Sequence, residues 1–287
     1  MIPACERPRL ALCAAIALLS AAGALFTSAG AATLDIPTPY VPSTETNVDE
    51  MLRLAQVQPG DVVYDLGSGD GRIVIAAARD WGARGVGIEI DPKLVAESRD
   101  RAQREGVANR VSFREGDVLK APVGEATVIT MYLLTGLVNR LQPKLLAELK
   151  PGTRIVAHDY PFSEWKPDRH VRVSKSFYLY VVPAQVGGKW QLNASVAANA
   201  REYDLQLTQR FQEVTGGARV SGGYLPAFEA RLTGERIAFI LIDENTAYRY
   251  EGTVSGHAME GVVRWGAGPR QQQGTWRATR VVGVSEG

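Results

Sequence analysis

A glycine-rich loop that directly follows an apolar strand constrains the fold of this chain more than any other feature. The segment from Asp61 to Leu66 carries a continuous apolar run, as a strand buried on both faces of a parallel sheet requires. The loop Gly67-Ser-Gly-Asp-Gly71 comes next, and a helix is predicted over Ile73–Trp81. Glycines let the backbone turn tightly and approach a ligand closely. The order of strand, glycine loop and helix therefore predicts an α/β domain that binds a ligand at this loop.

Acidic residues at three successive strand ends indicate what this ligand is. Asp65, just before the loop, would repel a pyrophosphate but suits a ligand that carries an ammonium and a sulfonium. Glu89 ends the second predicted strand, where a carboxylate accepts hydrogen bonds from both ribose hydroxyls. Asp117 follows the third strand and is placed to accept the adenine amino group, with the Val118 amide at the ring edge. Together these residues predict a site for a cation that contains adenosine.

The loop belongs to a longer stretch in which strands and helices alternate, from Asn47 to about Pro183. Thr46 is the expected cap of the first helix. The predicted helices are Asn47–Gln56, Ile73–Trp81, Pro92–Glu105 and Val138–Leu149. The predicted strands are Asp61–Leu66, Gly85–Ile90, Val111–Arg114, Ala126–Tyr132 and Arg154–His158, with a hairpin over Val171–Val182 that adds an antiparallel member. This alternation predicts a doubly wound α/β domain over residues 39–183, with right-handed crossovers.

The pattern changes after Ala184 to short segments in which apolar and polar residues alternate, of which Tyr203–Phe211 is the most regular. Further strands of this kind are predicted at Phe228–Leu232, Arg236–Ile242, Ala247–Val254, Ala258–Trp265 and Gly274–Val281. Glycine pairs, Gly216-Gly217 among them, are expected to form the turns. Residues 189–282 are therefore predicted to form a C-terminal antiparallel β domain of six or seven strands, either a small barrel or a sandwich.

The N-terminal segment has the features of a secretory signal peptide. Arg7 and Arg9 precede an uncharged run from Leu10 to Phe26, and small residues follow, with cleavage predicted after Ala31. Residues 1–31 are thus predicted to direct a periplasmic or exported location. The alternative is an uncleaved anchor that attaches the chain to the inner membrane. Because Cys5 and Cys13 both lie in this segment, the mature chain would have no disulfide.

Charge and histidine spacing argue against two functional classes. Lys and Arg number 32 against 31 Asp and Glu, and no basic stripe is visible, which argues against a nucleic-acid partner. The three histidines, His158, His170 and His257, lack the spacing of metal ligands, so no metal site is predicted. The sequence gives no indication of the oligomeric state.

These motifs resemble those of the seven-strand (class I) S-adenosylmethionine-dependent methyltransferases, over about residues 39–182. The resemblance implies the cofactor S-adenosyl-L-methionine, bound by Asp65, Leu66, Gly67, Ser68, Gly69, Glu89, Ile90, Asp117 and Val118. A narrower resemblance is to the protein-lysine methyltransferases of the ATP synthase c-subunit and their bacterial relatives. It is carried by Pro39–Ser43, Asp65–Val74, Gly85–Glu89, Gly152–Val156 and Pro161–Pro167. It implies methyl transfer to a nitrogen acceptor, with a protein lysine as the substrate.

Three residues are the candidates for catalysis at the acceptor: Tyr132, Asp159 and Tyr40. A lysine must lose its proton and its water before it attacks a methyl group, and an aromatic channel with one carboxylate can bring this about. Tyr160 could also line that channel, and His158 is interpreted as a buried neighbour. The alternative roles are core packing for Tyr132 and a loop cap for Asp159. Tyr40 lies in a stiff segment between Pro39 and Pro42 and is expected to close over the cofactor, with a tether to the signal segment as its alternative role.

Two other functions remain open at the level of the sequence. A methyltransferase fold could serve as a non-catalytic periplasmic binding or scaffold module, because a fold does not determine a function. A small-molecule methyltransferase is also compatible, with the β domain holding an apolar acceptor. The Asn-Pro-Pro-Tyr signature of base and amide methylators is absent after the fourth strand, where the chain reads Thr130-Met-Tyr-Leu-Leu-Thr135.

Overall fold

The computed structural model describes residues 40–196 and 199–281. The predicted signal peptide with its two cysteines lies outside these residues, as do residues 39 and 282 at the outer ends of the two predicted domains. Within the described ranges, no helix combines the length and the apolar character that a membrane span requires.

The first half of the chain forms a mixed sheet of seven strands with four helices. The helices are α1 (Glu45–Leu54), α2 (Arg72–Asp80), α3 (Pro92–Arg104) and α4 (Thr135–Glu148). The strands are β1 (Val62–Leu66), β2 (Arg84–Glu89), β3 (Val111–Glu115), β4 (Val128–Met131), β5 (Arg154–His158), β6 (Arg169–Arg172) and β7 (Ser176–Val181). Every predicted helix and strand of this half is present. Helix α1 begins earlier than predicted because Thr44, and not Thr46, caps it by accepting a hydrogen bond from the Asn47 amide.

The strand order confirms the doubly wound methyltransferase architecture. The order is β3-β2-β1-β4-β5-β7-β6, in which β1 to β5 are parallel and β7 runs antiparallel to both β5 and β6. The chain reverses its direction of winding between β1 and β4. The carboxyl ends of these two strands therefore flank the crevice where open α/β sheets bind their ligands.

Two apolar layers cover this sheet, one on each face. One contains Tyr64, Leu141 and Tyr180, and the other contains Met51, Val74 and Phe177. All five residues of β1 are buried, as the continuous apolar run predicts for a central strand. The site residues at the end of β1 are thus held by a strand that is buried along its whole length.

The second half forms one antiparallel sheet of nine strands. The strands are β8 (Gly188–Val196), β9 (Asn199–Arg210), β10 (Glu213–Val220), β11 (Gly223–Pro226), β12 (Phe228–Thr233), β13 (Arg236–Asp243), β14 (Thr246–Ser255), β15 (Ala258–Trp265) and β16 (Gln272–Arg280). Their order is β11-β10-β9-β8-β16-β15-β14-β13-β12. The edge strand β12 also lies near β10, and β11 lies near β13, so the sheet curls into a nearly closed barrel around Trp190, Phe239 and Trp276.

The predicted number of six or seven strands was wrong. Gly216 and Gly217, which were expected to form a turn, lie inside β10 and pair with Leu207 and Gln206 of β9. A side chain at Gly216 would overlap the Gln206 carbonyl, so the glycine serves the close approach of two strands. The predicted strands of this half are all present.

Candidate cofactor and acceptor site

The glycine loop after β1 adopts the backbone conformation that its composition predicts. Gly67, Gly69 and Gly71 have φ angles of 79°, 53° and 76°, in the left-handed region that favours glycine. The amides of Gly67 and Ser68 both donate to the Ile88 carbonyl, at 2.9 and 3.0 Å. The loop is therefore held against the end of β2. Helix α2 begins directly after it, with Gly71 as its N-cap.

Glu89 connects this loop to the second strand. Its Oε2 accepts from the Gly69 amide at 2.8 Å, and its Oε1 accepts from the amides of Ile90 and Asp91 at 2.8 and 3.0 Å. The side chain is buried, and three amides orient the carboxylate at the strand end. The position predicted to receive ribose hydroxyls therefore also fixes the shape of the loop.

Asp65 is a buried carboxylate at the carboxyl end of β1. It is 2% exposed, and its Oδ1 accepts a hydrogen bond of 2.8 Å from the Thr130 hydroxyl of β4. Burial raises the pKa of Asp65 to about 7, and the nearby carboxylates of Glu89 and Asp70 act in the same direction against the Thr130 hydrogen bond. A cationic ligand would stabilise the ionised form of a carboxylate whose pKa is raised in this way. The sequence analysis did not single out Thr130, although the predicted strands place it near Asp65.

A second carboxylate, Asp70, lies within the loop and pairs with two arginines. It receives a two-pronged ion pair from Arg72, and Arg101 of α3 donates to its Oδ2 at 2.8 Å. Burial would raise the pKa of Asp70, but the two guanidinium groups outweigh it and hold the pKa below its ordinary value. Ser98 of α3 also donates to the Gly69 carbonyl at 2.9 Å. The sequence analysis missed Arg101 and Ser98 because they come from α3, which is distant along the chain from the loop.

The residues predicted to surround the adenine lie at the ends of β2 and β3. The Gly116 amide donates to the Glu89 carbonyl at 2.8 Å, which joins the two strand ends. Asp117 uses its Oδ1 to accept from the Leu119 amide at 2.9 Å, and Val118 is buried. Ile90 is 72% exposed, so its side chain is available to an apolar ligand face. Leu66 is fully buried at the end of β1, and the Ser68 hydroxyl lies against Gly87 inside the protein. Both residues would therefore contact a ligand through their backbone.

Tyr40 lies over the glycine loop. A side chain at Gly69 would overlap the Tyr40 ring, so the absence of a Cβ at this position permits the contact. The ring is 46% exposed, and burial together with the Asp70 carboxylate raises the pKa of its hydroxyl. The structure therefore brings Tyr40 to the cofactor side of the site rather than to the other acceptor candidates.

The other two acceptor candidates belong to an aromatic cluster at the ends of β4 and β5. Tyr132 stacks on His158 with 3.9 Å between ring centroids, and His158 stacks in turn on Phe177 at 4.9 Å. Tyr160 lies 6.0 Å from Tyr132 in a nearly parallel orientation. Burial and the nearby Asp159 carboxylate raise the pKa of Tyr132 despite the charge of Lys175. Because β4 pairs with β1, this cluster begins next to the end of β1 that carries Asp65.

Asp159 holds a lysine ammonium beside these rings. Its Oδ2 accepts from Lys175 Nζ at 2.8 Å, and its Oδ1 accepts from the Ser176 amide at 3.1 Å. Burial would raise the pKa of Asp159, but these two hydrogen bonds and the Lys175 charge hold it below its ordinary value. The carboxylate is therefore ionised at neutral pH. The sequence analysis missed Lys175, which lies in the turn between β6 and β7 and carries no motif.

His158 is buried and neutral. It is 1% exposed, its Nδ1 lies 3.3 Å from the Ser43 hydroxyl, and its Nε2 has no hydrogen-bond partner among the described residues. Burial lowers the pKa of His158 to about 4, so the ring does not take up a proton near neutral pH. This agrees with its interpretation as a buried neighbour. Across residues 40–196 and 199–281, no group of three acidic, histidine or cysteine side chains could hold a metal ion.

Comparisons with known proteins decide which family this geometry belongs to. The family model of the ANTKMT methyltransferase domain matches residues 65–169, from the end of β1 to the start of β6. A protein-lysine N-methyltransferase of Saccharolobus islandicus is 43% identical over 150 residues, which are 50% of this chain and 93% of that protein. The chain belongs to the S-adenosylmethionine-dependent methyltransferases.

Two further relatives support this assignment of the methyltransferase. The crystal structure of an RNA methyltransferase from Salinibacter ruber, in complex with S-adenosyl-L-homocysteine, is 51% identical with a TM-score of 0.50. That match covers 51% of this methyltransferase and 96% of the solved chain. The lysine N-methyltransferase of the ATP synthase c-subunit from Xenopus laevis is 41% identical over 130 residues, which are 45% of this methyltransferase and 57% of the Xenopus protein. Each match thus covers about half of the present methyltransferase.

The loop of this methyltransferase fits S-adenosylmethionine, which supplies a methyl group on a positively charged sulfur. The buried carboxylate of Asp65 suits the cationic part, and Glu89 stands at the position for the ribose. The places that a Cβ would take at Gly67 and Gly69 are occupied by the side chains of Leu133 and Tyr40, which pack directly on the loop. Thr130 supports Asp65 and Ser98 supports Gly69 among the residues predicted for the cofactor from sequence.

Proposed function

We propose that this methyltransferase transfers methyl groups to the side-chain nitrogen of lysine in a protein substrate. The observation that supports this most directly is the cluster of Asp159, Tyr132 and Tyr160, in which a lysine ammonium already lies 2.8 Å from a carboxylate oxygen. The relatives from Saccharolobus islandicus and Xenopus laevis bear the name of lysine N-methyltransferases, which supports the same acceptor.

In this proposal the side chains orient the acceptor and remove part of its water. The incoming ammonium takes the place of the Lys175 ammonium on the ionised Asp159, which holds it in the site, while the rings of Tyr132 and Tyr160 replace part of its water. Loss of water favours the neutral amine over the ammonium, the proton passes to the solvent, and the nitrogen lone pair can then attack the methyl group. The new N–C bond forms as the C–S bond breaks, and the electron pair of that bond stays on sulfur. His158 is neutral and stacked between two rings, so it would shape the wall of the site and take no proton.

The test is methyl transfer from radiolabelled S-adenosylmethionine to poly-L-lysine, with acetylated poly-L-lysine as the matched acceptor control. We expect label in the first acceptor alone. Asp159→Asn should lower kcat/KM for poly-L-lysine by about tenfold or more, because it removes a charge-assisted interaction worth about 1.5–3 kcal/mol. Asp80→Asn, which breaks an exposed ion pair with Arg79 on α2, is the control carboxylate variant.

RNA is the second acceptor to include, because the solved neighbour from Salinibacter ruber is described as an RNA methyltransferase. Label in RNA and none in either polypeptide would replace the lysine proposal. Label in acetylated poly-L-lysine equal to that in the unmodified polymer would also contradict it, since the acetylated side chain has no amine.

We further propose that the enzyme works outside the cytoplasm, either exported or held by an N-terminal anchor. The support is the sequence of residues 1–31, with its basic start, apolar run and small residues near Ala31. N-terminal sequencing of the protein from the periplasmic fraction should give a chain that begins near Ala32. A full-length chain in the cytoplasmic fraction would contradict the proposal.

A further inference from the structure

The turn between β9 and β10 connects the C-terminal barrel to the first sheet. At this turn the Gln212 side chain makes two hydrogen bonds to one segment of the methyltransferase half. Its Oε1 accepts from Trp165 Nε1 at 2.9 Å, and its Nε2 donates to the Lys166 carbonyl at 2.6 Å. One amide group thus joins a side chain and the backbone of adjacent residues.

Phe211, at the tip of the same turn, packs into the core of the first sheet. Its ring stacks on Trp165 with 5.6 Å between centroids and an interplanar angle of 12°. Trp165 is 1% exposed and contacts Phe162 and Tyr180 on its other sides. Phe211 has a φ of 54°, in the left-handed region, so the turn adopts a costly backbone conformation to present this ring. We name Phe211 and Gln212 the barrel turn.

The barrel turn holds the segment that continues from the acceptor cluster. Residues 160–167 begin directly after Asp159, and Tyr160 faces Tyr132 at 6.0 Å. The methyltransferase half makes side-chain hydrogen bonds to the first part of this segment, through the Phe162 amide to Tyr180 at 3.1 Å and through Ser163 to Asn139 of α4. Its following part, around Trp165 and Lys166, has its side-chain hydrogen bonds to Gln212.

We propose that the barrel turn is a positioning element of the acceptor site, which fixes residues 160–167 and thereby the rings that receive the acceptor lysine. This inference rests on the proposed function, because it assigns the acceptor side of the same site. It gives the C-terminal domain a role in acceptor binding without any contact to the cofactor loop. Gln212 is then a positioning residue, acting through Trp165 and Lys166.

The contacts between the strands next to this turn and residues 160–167 include an exposed ion pair, which provides an internal control. Arg210, next to the turn, pairs with Glu164 of the same segment at 3.5 Å, and both side chains are about 70% exposed (67% and 72%). Exposed ion pairs of this kind contribute little. Arg210→Ala therefore removes a contact between the same two segments, together with the placement of its guanidinium 6.0 Å from the Phe211 ring centroid, and leaves both Gln212 hydrogen bonds in place.

The experiment compares Gln212→Ala, Gln212→Glu and Arg210→Ala in the full chain. Loss of two hydrogen bonds, at about 0.5–1.5 kcal/mol each, should raise KM for poly-L-lysine by about tenfold in Gln212→Ala. The dissociation constant for S-adenosyl-L-homocysteine, measured by calorimetry, should change by less than about twofold. Gln212→Glu can still accept from Trp165 but cannot donate to Lys166, so we expect an intermediate KM. Arg210→Ala should match the wild type.

Amide hydrogen exchange gives a readout that needs no acceptor. In Gln212→Ala, exchange should become faster in residues 160–168 and stay unchanged in the glycine loop. Unchanged protection of residues 160–168 would overturn the proposal. So would a rise in KM for poly-L-lysine accompanied by equal losses of S-adenosyl-L-homocysteine affinity and thermal stability, since that describes a general structural role. If the wild type binds S-adenosyl-L-homocysteine but never methylates poly-L-lysine, the lysine proposal fails, and hydrogen exchange alone decides on the barrel turn.

Discussion

Asparagine in place of Asp65 should make the ligand-free protein more stable while it weakens cofactor binding. The native carboxyl is 2% exposed, and its pKa is raised from an ordinary 3.8 to about 7 by burial. Asparagine has nearly the same size, and its oxygen can still accept the hydrogen bond from Thr130. The substitution therefore removes the buried charge and little else.

The pKa interval gives the size and the sign of the effect. A carboxyl with a raised folded-state pKa contributes stability below pH 3.8 and loses it as the pH rises toward 7. At 1.36 kcal/mol per pH unit, the interval corresponds to a loss of about 4 kcal/mol in the free energy of unfolding. Asp65→Asn does not lose this stability. The difference between variant and wild type should thus grow from pH 4 to pH 7 and then stay constant.

Urea unfolding of the ligand-free proteins at several values between pH 4 and pH 8 measures this difference. Calorimetric titration at pH 8 measures the second half of the prediction, a loss of about tenfold to a hundredfold in affinity for S-adenosylmethionine. In the wild type, the same affinity should fall as the pH drops below 7, because the carboxylate becomes protonated. A variant less stable than the wild type at pH 8, or one that binds the cofactor equally well, would refute the assignment of Asp65 as a destabilised partner for a cation.

Two further predictions concern neighbouring parts of the site. Gly69→Ala places a Cβ on a residue in the left-handed region, at φ 53°, and against the Tyr40 ring. The free energy of unfolding should therefore fall by about 1–2 kcal/mol, and cofactor affinity should fall with it. Combining it with Tyr40→Ala should relieve the overlap but not the backbone strain, which thermal unfolding of both variants can show. His158 has a pKa lowered by burial to about 4, so its contribution to stability is present above pH 6.5 and is lost toward pH 4, by about 3 kcal/mol. His158→Gln should remove this dependence and leave that of Asp65, which has the opposite sign in the same pH range. Stability should therefore rise with pH in Asp65→Asn and fall with pH in His158→Gln, and slopes of the same sign would contradict one of the two assignments.

The first sheet could be predicted from sequence because its signals are local. The apolar run of β1, the glycine loop and the Asp91-Pro92 helix start each lie within a few residues of the structure they determine. The nine-strand barrel was less predictable, since Gly216 and Gly217 resemble a turn locally and are needed for the approach of a neighbouring strand. That need arises only after the sheet has formed.

The site residues also differ in whether local sequence predicts them. Asp65 and Glu89 follow from their places at the ends of predicted strands, and the structure brings both to the loop. Lys175 and Gln212 reach the acceptor side through pairings between distant parts of the chain, and neither belongs to a recognisable motif. Tyr40 was counted among the acceptor candidates and also expected to close over the cofactor, and its ring lies against Gly69 of the loop.

The seating of Phe211 in the core of the first sheet has a consequence for modularity. Two domains joined by a linker alone can be separated, exchanged or fused elsewhere, and each unfolds by itself. Here a cut after Val182 would expose the indole face of Trp165 and leave its N–H without the Gln212 partner. The two sheets should accordingly unfold in one calorimetric transition. The barrel should not fold correctly when fused to another methyltransferase unless that protein has a tryptophan at the position of Trp165 to contact the turn.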